Sequence, residues 1–373
     1  MPELDGLRGF AALAVFAFHG YFLSNWPADQ DQPAWLAGQR LMSLGWSGVD
    51  IFFTLSAFLL SLSLLQRAAS DGAAGRRSAG YLQRRALRIF PAFWAQIAVL
   101  ALLSSELPRG GVDLVAQLGL LFNLGAHPVS PWVPVWWTLP VEFGFYLVLP
   151  LLVPLLRAGR WQWLLLGIVG AWLYRYQLLH ADLPKLLRVT WAEHLPGRID
   201  QFLIGMLGAY AWHSGAIERL VSDCRRLTWL ALAGMFAWCA VHALPFALAS
   251  RAGPSASTHP ALIGWHGMAS LALLPVRWAC ARGGSLPLRW LGSEPCRGLG
   301  AISFSLYLWH SPLMMLVRPL VPQLPAGPAR PFLFTLMLLL PCLALAWVSW
   351  RLIERPAMRW SRSTATAATA QSA

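Results

Sequence analysis

Apolar stretches of about 18–22 residues recur from one end of the chain to the other, each long enough to cross a hydrocarbon layer of about 30 Å as an α-helix. They fall at roughly residues 8–24, 46–65, 89–105, 138–156, 161–179, 199–214, 227–249, 260–278, 299–320 and 332–353. Short polar or arginine-rich connections separate them. The pattern predicts an all-α polytopic membrane protein with about ten transmembrane helices. One further apolar run, Val112–Ala126, competes for an eleventh place. Counting it as a span would invert every later loop and carry most of the arginines to the outer face. The stretch Glu106–Trp137 is therefore read as an outer-side loop, wholly outside or partly re-entrant.

Of the 373 residues, 57% are hydrophobic and 12% charged, with a mean hydropathy of +0.52 and 21 tryptophans, a balance no water-soluble domain needs. The net charge of +13 would point to nucleic acid in a soluble protein. In a membrane protein the cytoplasmic loops collect arginine, which accounts for the excess and excludes nucleic acid as a partner. With the N-terminus inside, Arg8, the group from Arg67 to Arg88, Arg157, Arg160, Arg219, Arg225 and Arg226 fall on the inner side. So do the arginines from Arg277 to Arg297 and from Arg351 to Arg362. Both termini are thus expected in the cytoplasm, with no cleaved signal peptide. The expected organisation is one transmembrane domain, residues 1–360, and a disordered tail, residues 361–373. The five cysteines lie in inner loops or within spans and lack ligand spacing, so neither a disulfide framework nor a metal site is expected.

Several ionisable side chains interrupt the apolar spans, and such groups are functional candidates by default. In M-P-E-L-D-G-L-R-G-F-A-A-L-A-V-F-A-F-H, Arg8 and His19 are eleven residues apart. On a helix that spacing leaves them within about 20° of one face and about 16 Å apart along the axis. A cation then marks the inner mouth and an imidazole lies deeper on the same stripe. Asp50 (W-S-G-V-D-I-F-F) and Glu142 (W-T-L-P-V-E-F-G-F-Y) enter their spans from the outer side, and His310 (S-F-S-L-Y-L-W-H-S-P) lies in the outer half of the ninth. Ser303, Tyr307 and His310 share one helical face. Pro312 frees the Leu308 carbonyl and is expected to kink the helix there.

Each of these has a structural alternative. Arg8 also reads as a positive-inside anchor, His19 as a core imidazole, Asp50 as a helix cap and Glu142 as half of a buried pair. The Ser303/Tyr307/His310 face also reads as helix–helix hydrogen bonding. The run R-R-A-L-R-I-F-P-A-F-W, with Arg84, Arg85 and Arg88, is either ordinary juxtamembrane charge or a docking patch for phosphates or anionic headgroups.

Taken in order, these blocks resemble the membrane-bound acyltransferase-3 family, bacterial O-acyltransferases that modify sugars and related hydroxylated molecules. The matching pieces are L-D-G-L-R-G-F-A-A-L-A-V-F-A-F-H, S-G-V-D-I-F-F-T-L-S-A-F-L-L, R-R-A-L-R-I-F-P-A-F-W, W-T-L-P-V-E-F-G-F-Y-L-V-L-P-L-L, I-S-F-S-L-Y-L-W-H-S-P and E-R-P, from residue 4 to residue 356. The chain departs from the family pattern at Ala57, where Ser-Gly-Phe is common, and at Phe143, where a second acidic residue often follows Glu142. No extracytoplasmic hydrolase-like domain is expected after the last helix.

The resemblance implies an acyl-CoA donor, acetyl-CoA above all, used from the cytoplasmic side of a bacterial inner membrane, and an essential Arg8–His19 pair. On that reading Arg8, Arg84, Arg85 and Arg88 hold the donor phosphates. His19 acts as general base or as acyl carrier, Glu142 orients it or holds the acceptor, and His310 and Tyr307 donate to the developing oxyanion. The expected partners are the lipid bilayer and a hydroxylated acceptor: a surface polysaccharide, a lipopolysaccharide, a glycolipid or a macrolide-like metabolite. A transporter of a small polar or anionic metabolite is the competing class; against it, the sequence shows no internal repeat or paired broken helices.

Overall fold

The computed structural model describes residues 1–24, 42, 44–70, 76–103, 110–122, 131–221, 223–252, 261–283 and 286–360. The expected tail, residues 361–373, and most of the loop between the first two spans lie outside the described residues. Among the described residues the regular structure is entirely helical. In chain order the α-helices are α1 (Pro2–Leu23), α2 (Gly48–Ser70), α3 (Arg76–Leu103), α4 (Gly111–Leu118), α5 (Thr138–Arg157), α6 (Gln162–His180) and α7 (Lys185–Ala192). Then follow α8 (Leu195–His213), α9 (Ala216–Leu220), α10 (Cys224–Ala252), α11 (Ala261–Ala272), α12 (Leu274–Arg282), α13 (Glu294–Val317) and α14 (Arg330–Ser349). A single π turn, Trp350–Glu354, continues α14.

Six helical segments are long and apolar enough to cross a bilayer: Pro2–Leu23, Leu44–Gln66, Gly80–Leu103, Pro134–Arg157, Glu294–Gln323 and Arg330–Trp360. They coincide with the first four and last two expected spans, and the protein is a multi-pass all-α membrane protein. The four expected spans between them are also helical but are not among those six. Two carry charge that the fold uses internally. Arg175 of α6 donates to Asp200 of α8 and, at 2.7 Å, to the Gly197 carbonyl, while Trp172 donates to Asp200 at 2.9 Å. The expected span at 260–278 is two helices, α11 and α12, because Pro275 has no N–H to continue the ladder. The eight residues of α4, about 12 Å of helix, are too short to cross, so the described part of that apolar run, residues 112–122, supplies no further span.

The helices group into two compact units, each assembled from separate stretches of chain. The first comprises Met1–Arg8, Val49–Gly72 and Pro140–Arg297; the second comprises Gly9–Gly48, Ala73–Leu139 and Gly298–Ala373. In the first unit α6 packs on α8, α11 packs on both, and α10 lies along α11 and α12. Gly205 lets α8 approach α2 closely, since a Cβ there would stand 2.4 Å from the Thr54 carbonyl oxygen. Beside that crossing the Phe202 ring stacks between Phe53 and Phe145, at 4.8 and 4.3 Å between centroids.

In the second unit the carboxylate of Glu354, in the π turn, joins the hydroxyls of Ser305 and Ser349 in a buried hydrogen-bonded group. α13 continues through Pro312, and the carbonyl freed at Leu308 does not go unpaired: Gln96 Nε2 of α3 donates to it at 2.6 Å. The other end of that amide accepts from Trp136 Nε1 at 2.8 Å. One buried glutamine thus discharges two polar obligations, each of which would cost about 1–3 kcal/mol if left unmade.

Candidate active site

His19 lies on the last turn but one of α1 and is half-buried. The helix delivers it to α13 in the second unit, where His310 is almost wholly buried. The two rings stand 4.9 Å apart between centroids, tilted by 58°, and His310 Nε2 lies 3.1 Å from His19 Nδ1. His310 Nδ1 faces the Leu306 carbonyl at 3.0 Å, and His19 Nδ1 faces the Val15 carbonyl at 2.9 Å.

These partners determine where the protons sit in a neutral pair. A carbonyl only accepts, so His310 carries its hydrogen on Nδ1 and offers a lone pair at Nε2. His19 Nδ1–H then donates, shared between Val15 and His310. The remaining nitrogen, His19 Nε2, is left with a lone pair. Phe18 stands edge-on to the His19 ring at 5.0 Å and Phe16 edge-on to His310 at 6.4 Å, so the pair is framed by aromatic carbon. Next to His19, Gly20 packs against α14. A Cβ there would fall 2.1 Å from Thr335 Oγ1, whose hydroxyl is tied to the Pro331 carbonyl at 2.6 Å.

Tyr307, one turn before His310, is turned to the backbone: its hydroxyl donates to the Val135 carbonyl at 2.7 Å and meets Thr138 Oγ1 at 2.8 Å. Arg84, Arg85 and Arg88 lie half-buried on α3 in the same unit.

The other expected residues belong to the first unit. Arg8, half-buried near the start of α1, lies 3.7 Å from the Asp5 carboxylate. The unbroken helix Pro2–Leu23 keeps its expected spacing to His19. Glu142 sits in the second turn of α5, half-buried. One of its oxygens accepts the Tyr146 hydroxyl and, at 3.0 Å, the Ser56 hydroxyl of α2.

Asp50 is fully buried and does not act as a helix cap. Its carboxylate accepts from Arg198 at 3.2 Å, His242 at 3.2 Å, His266 at 3.2 Å and the Gln201 amide. Arg198 also pairs with Glu193. Sequence reasoning passed over His242, His266, Arg198, Gln201 and Gln96. Each is a polar side chain within or beside an apolar stretch, which is the signal that singled out His19 and Glu142.

The chain matches the acyltransferase domain family (acyltransferase-3) over residues 1–351. It is similar to an acyltransferase, MdmB, of Streptomyces mycarofaciens, 32% identical over 46% of this chain and 44% of that protein. It is also similar to nodulation protein 10 of Rhizobium leguminosarum bv. viciae, 27% identical over 96% of this chain and 93% of that protein. A third relative is the O-acetyltransferase OatA of Staphylococcus aureus, 22% identical over 95% of this chain and 57% of that protein. The chain therefore spans less than two thirds of MdmB and of OatA, and nearly all of nodulation protein 10. No solved structure matches it.

Proposed function

The chain belongs to the acyltransferase-3 family and is an acyltransferase, and we propose that it transfers an acyl group, acetyl above all, from acyl-CoA to a hydroxyl of a carbohydrate-type acceptor. The donor is used from the cytoplasmic side of a bacterial inner membrane, and the acceptor is membrane-associated or extracytoplasmic. The transporter reading gives way to the enzyme. One observation carries the mechanism: His19 and His310 meet at 3.1 Å in an order that leaves His19 Nε2 with a lone pair.

His19 Nε2 takes the proton of the acceptor hydroxyl as that oxygen attacks the thioester carbonyl. The new C–O bond forms, the C–S bond breaks, and the proton passes from His19 to the departing CoA sulfur. His310 holds His19 in the tautomer this needs, and its lone pair stabilises the His19 Nδ1–H as positive charge develops on the ring. That makes His310 a positioning residue instead of the oxyanion donor expected from the sequence. Tyr307, committed to Val135, anchors α13. Glu142, already an acceptor for two hydroxyls, is suited to hold a third, that of the acceptor. Arg8, Arg84, Arg85 and Arg88 hold the donor phosphates. The same nitrogen of His19 also serves the relay, in which it attacks the thioester carbonyl, the C–S bond breaks, and CoA leaves as the thiol with the proton given up by the His19 ring. The acyl group then passes from Nε2 to the acceptor oxygen, whose proton returns to the ring.

The test is transfer of label from acetyl-CoA to envelope glycans by the purified full-length protein in nanodiscs. Acceptor-dependent CoA release is expected from the wild type and none from His19→Ala. Equal transfer by a normally folded His19→Ala variant overturns the assignment. Rapid quenching without acceptor distinguishes the two chemistries, because only the relay leaves label on the protein.

A further inference from the structure

The first unit gathers several helix ends at one place. α6 and α8 run antiparallel: Trp172 and Arg175 meet Asp200, while a Cβ on Gly167 would stand 2.7 Å from Leu203 Cδ1. The first turn of α6 therefore lies beside the last turns of α8. Trp278 of α12 donates to the Gly208 carbonyl of α8 at 3.1 Å. One turn on, Arg282 donates to the Val221 carbonyl, just ahead of α10, at 2.9 Å. The starts of α6 and α10, the end of α12 and the 3-10 turn Leu286–Gly292 that follows it thus share one end of this unit.

At that end the exposed side chains fall in a fixed order. On α10, Arg225, Trp229, Leu232 and Phe236 follow one another at steps of four, three and four residues, which makes one exposed stripe. Arg226 lies beside the first of them. On α6 the same order runs from Arg160 through Trp161 and Trp163 to Leu166 and Leu173. Arg289 and Trp290 repeat its first two members on the 3-10 turn. The four indoles are between 44% and 63% exposed, far from the burial of Trp136.

From the end of the unit toward its middle, each helical stripe presents guanidinium, then indole, then aliphatic carbon. A phospholipid monolayer presents the matching series of phosphate, glycerol ester and acyl chain. Indole rings settle in the middle layer, and arginine carries its charge outward to the headgroups on an apolar stem. The arginines of residues 157–160, 216–226 and 282–297 outnumber the acids of the same segments, Glu218, Asp223 and Glu294. The first turn of α1, packed on the same end through Glu3, adds two acids against Arg8 and leaves the excess positive. Among the described residues the side chains of Arg160, Arg225, Arg226 and Arg289 have no ion-pair partner. Exposed cations at a bilayer surface draw anionic headgroups.

We infer that this end of the first unit is a rim that selects anionic phospholipid. Arg160, Arg225, Arg226 and Arg289 hold the headgroup phosphates above a layer of indoles. The rim is distinct from the arginines on α1 and α3 assigned to the acyl-CoA donor. The apolar carbon below the cations decides the source of the phosphate: it fits acyl chains, and a water-soluble donor brings nothing to cover it.

The experiment places full-length protein in nanodiscs of equal phosphatidylcholine and phosphatidylglycerol and counts the lipids retained on release by native mass spectrometry. The wild type is expected to retain phosphatidylglycerol in excess, and to lose that excess as salt rises. Arg160→Gln, Arg225→Gln, Arg226→Gln and Arg289→Gln should each cut the excess about threefold, and the four together should abolish it. Arg318→Gln, beyond the far end of α13, makes the same change of charge and should leave the excess as it is. Calorimetry should find CoA binding alike in the wild type and the combined variant. All four side chains are exposed, and the single variants report even where the combined one fails to fold.

Equal retention of the two lipids by the wild type overturns the inference, as does an undiminished excess in the four variants. A combined variant that loses CoA and keeps the excess lipid assigns these arginines to the donor phosphates and overturns it too. An equal loss in Arg318→Gln traces the preference to net charge alone and refutes the rim.

Discussion

His310 stands behind His19: its Nε2 lies 3.1 Å from His19 Nδ1, while its own Nδ1 is turned to the Leu306 carbonyl at 3.0 Å. The arrangement resembles a carboxylate–histidine dyad in outcome, fixing the tautomer and the ring orientation, but it places no formal charge beside the base. His310→Gln is expected to lower kcat by roughly 10–100-fold with KM for acyl-CoA little changed, because the base survives but its tautomer is no longer enforced. His19→Ala should lower kcat by about 10²–10⁴-fold or more, the usual contribution of a general base. Steady-state kinetics on the two variants and their double mutant checks this. The double mutant is expected to be no worse than His19→Ala alone, since His310 acts only through His19.

Gln96 closes the proline break in α13 two residues before His310. Gln96→Leu preserves bulk but strands the Leu308 carbonyl and the Trp136 indole N–H, so a loss of about 2–5 kcal/mol in stability is expected. Gln96→Met with Trp136→Phe removes the second orphan and should recover part of that loss. Thermal unfolding in a fixed detergent reads both.

Much of this framework is readable in the sequence, and the reason is locality. The first four and last two spans follow from apolar length alone. The Arg8–His19 spacing holds because α1 is one uninterrupted helix, and the freed Leu308 carbonyl follows from Pro312 four residues on. What escapes a single sequence is which side chain answers each need. Gln96 is 212 residues from Leu308 and His310 is 291 from His19, and no local pattern encodes such pairings. The middle spans are less apolar for a related reason. Arg175 and Asp200 neutralise each other only once α6 and α8 are packed; before packing they simply dilute two apolar stretches.

Gly20 sets the distance between the helix end that carries His19 and α14. Gly20→Ala places a methyl group 2.1 Å from Thr335 Oγ1, and that hydroxyl is held by Pro331, so the helices must part. A loss of about 1–3 kcal/mol in stability is expected, as for other overpacked sites, together with a fall in kcat. Thr335→Ala in the same chain removes the obstructing hydroxyl and should restore activity more than stability. Additive effects of the two substitutions would separate Gly20 from Thr335.

Asp50 gathers Arg198, Gln201, His242 and His266 from α8, α10 and α11, so one substitution touches four helices. Asp50→Asn removes one of the two carboxylates that Arg198 faces, the wholly buried one, and is expected to destabilise by about 3–5 kcal/mol. Asp50→Leu combined with Arg198→Met removes both charges and should be milder than Asp50→Leu alone. The fraction of monodisperse protein after detergent extraction and the unfolding midpoint both report on this.

Glu142 separates a structural role from a chemical one cleanly, because its known partners only donate to it. Tyr146 and Ser56 each place a hydroxyl on the same carboxylate oxygen, and the amide oxygen of a glutamine can still accept both, though more weakly. Glu142→Gln is therefore expected to leave the unfolding midpoint within about 1 kcal/mol of the wild type. If the carboxylate holds the acceptor hydroxyl, the loss of charge weakens that hydrogen bond. KM for the acceptor then rises by about 10-fold while acyl-CoA binding stays the same. Ser56→Ala serves as the comparison: it removes one hydroxyl from the carboxylate and keeps the charge, so acceptor KM should change little. A Glu142→Gln enzyme with unaltered kinetics for both substrates would reduce this carboxylate to a bracket between α2 and α5.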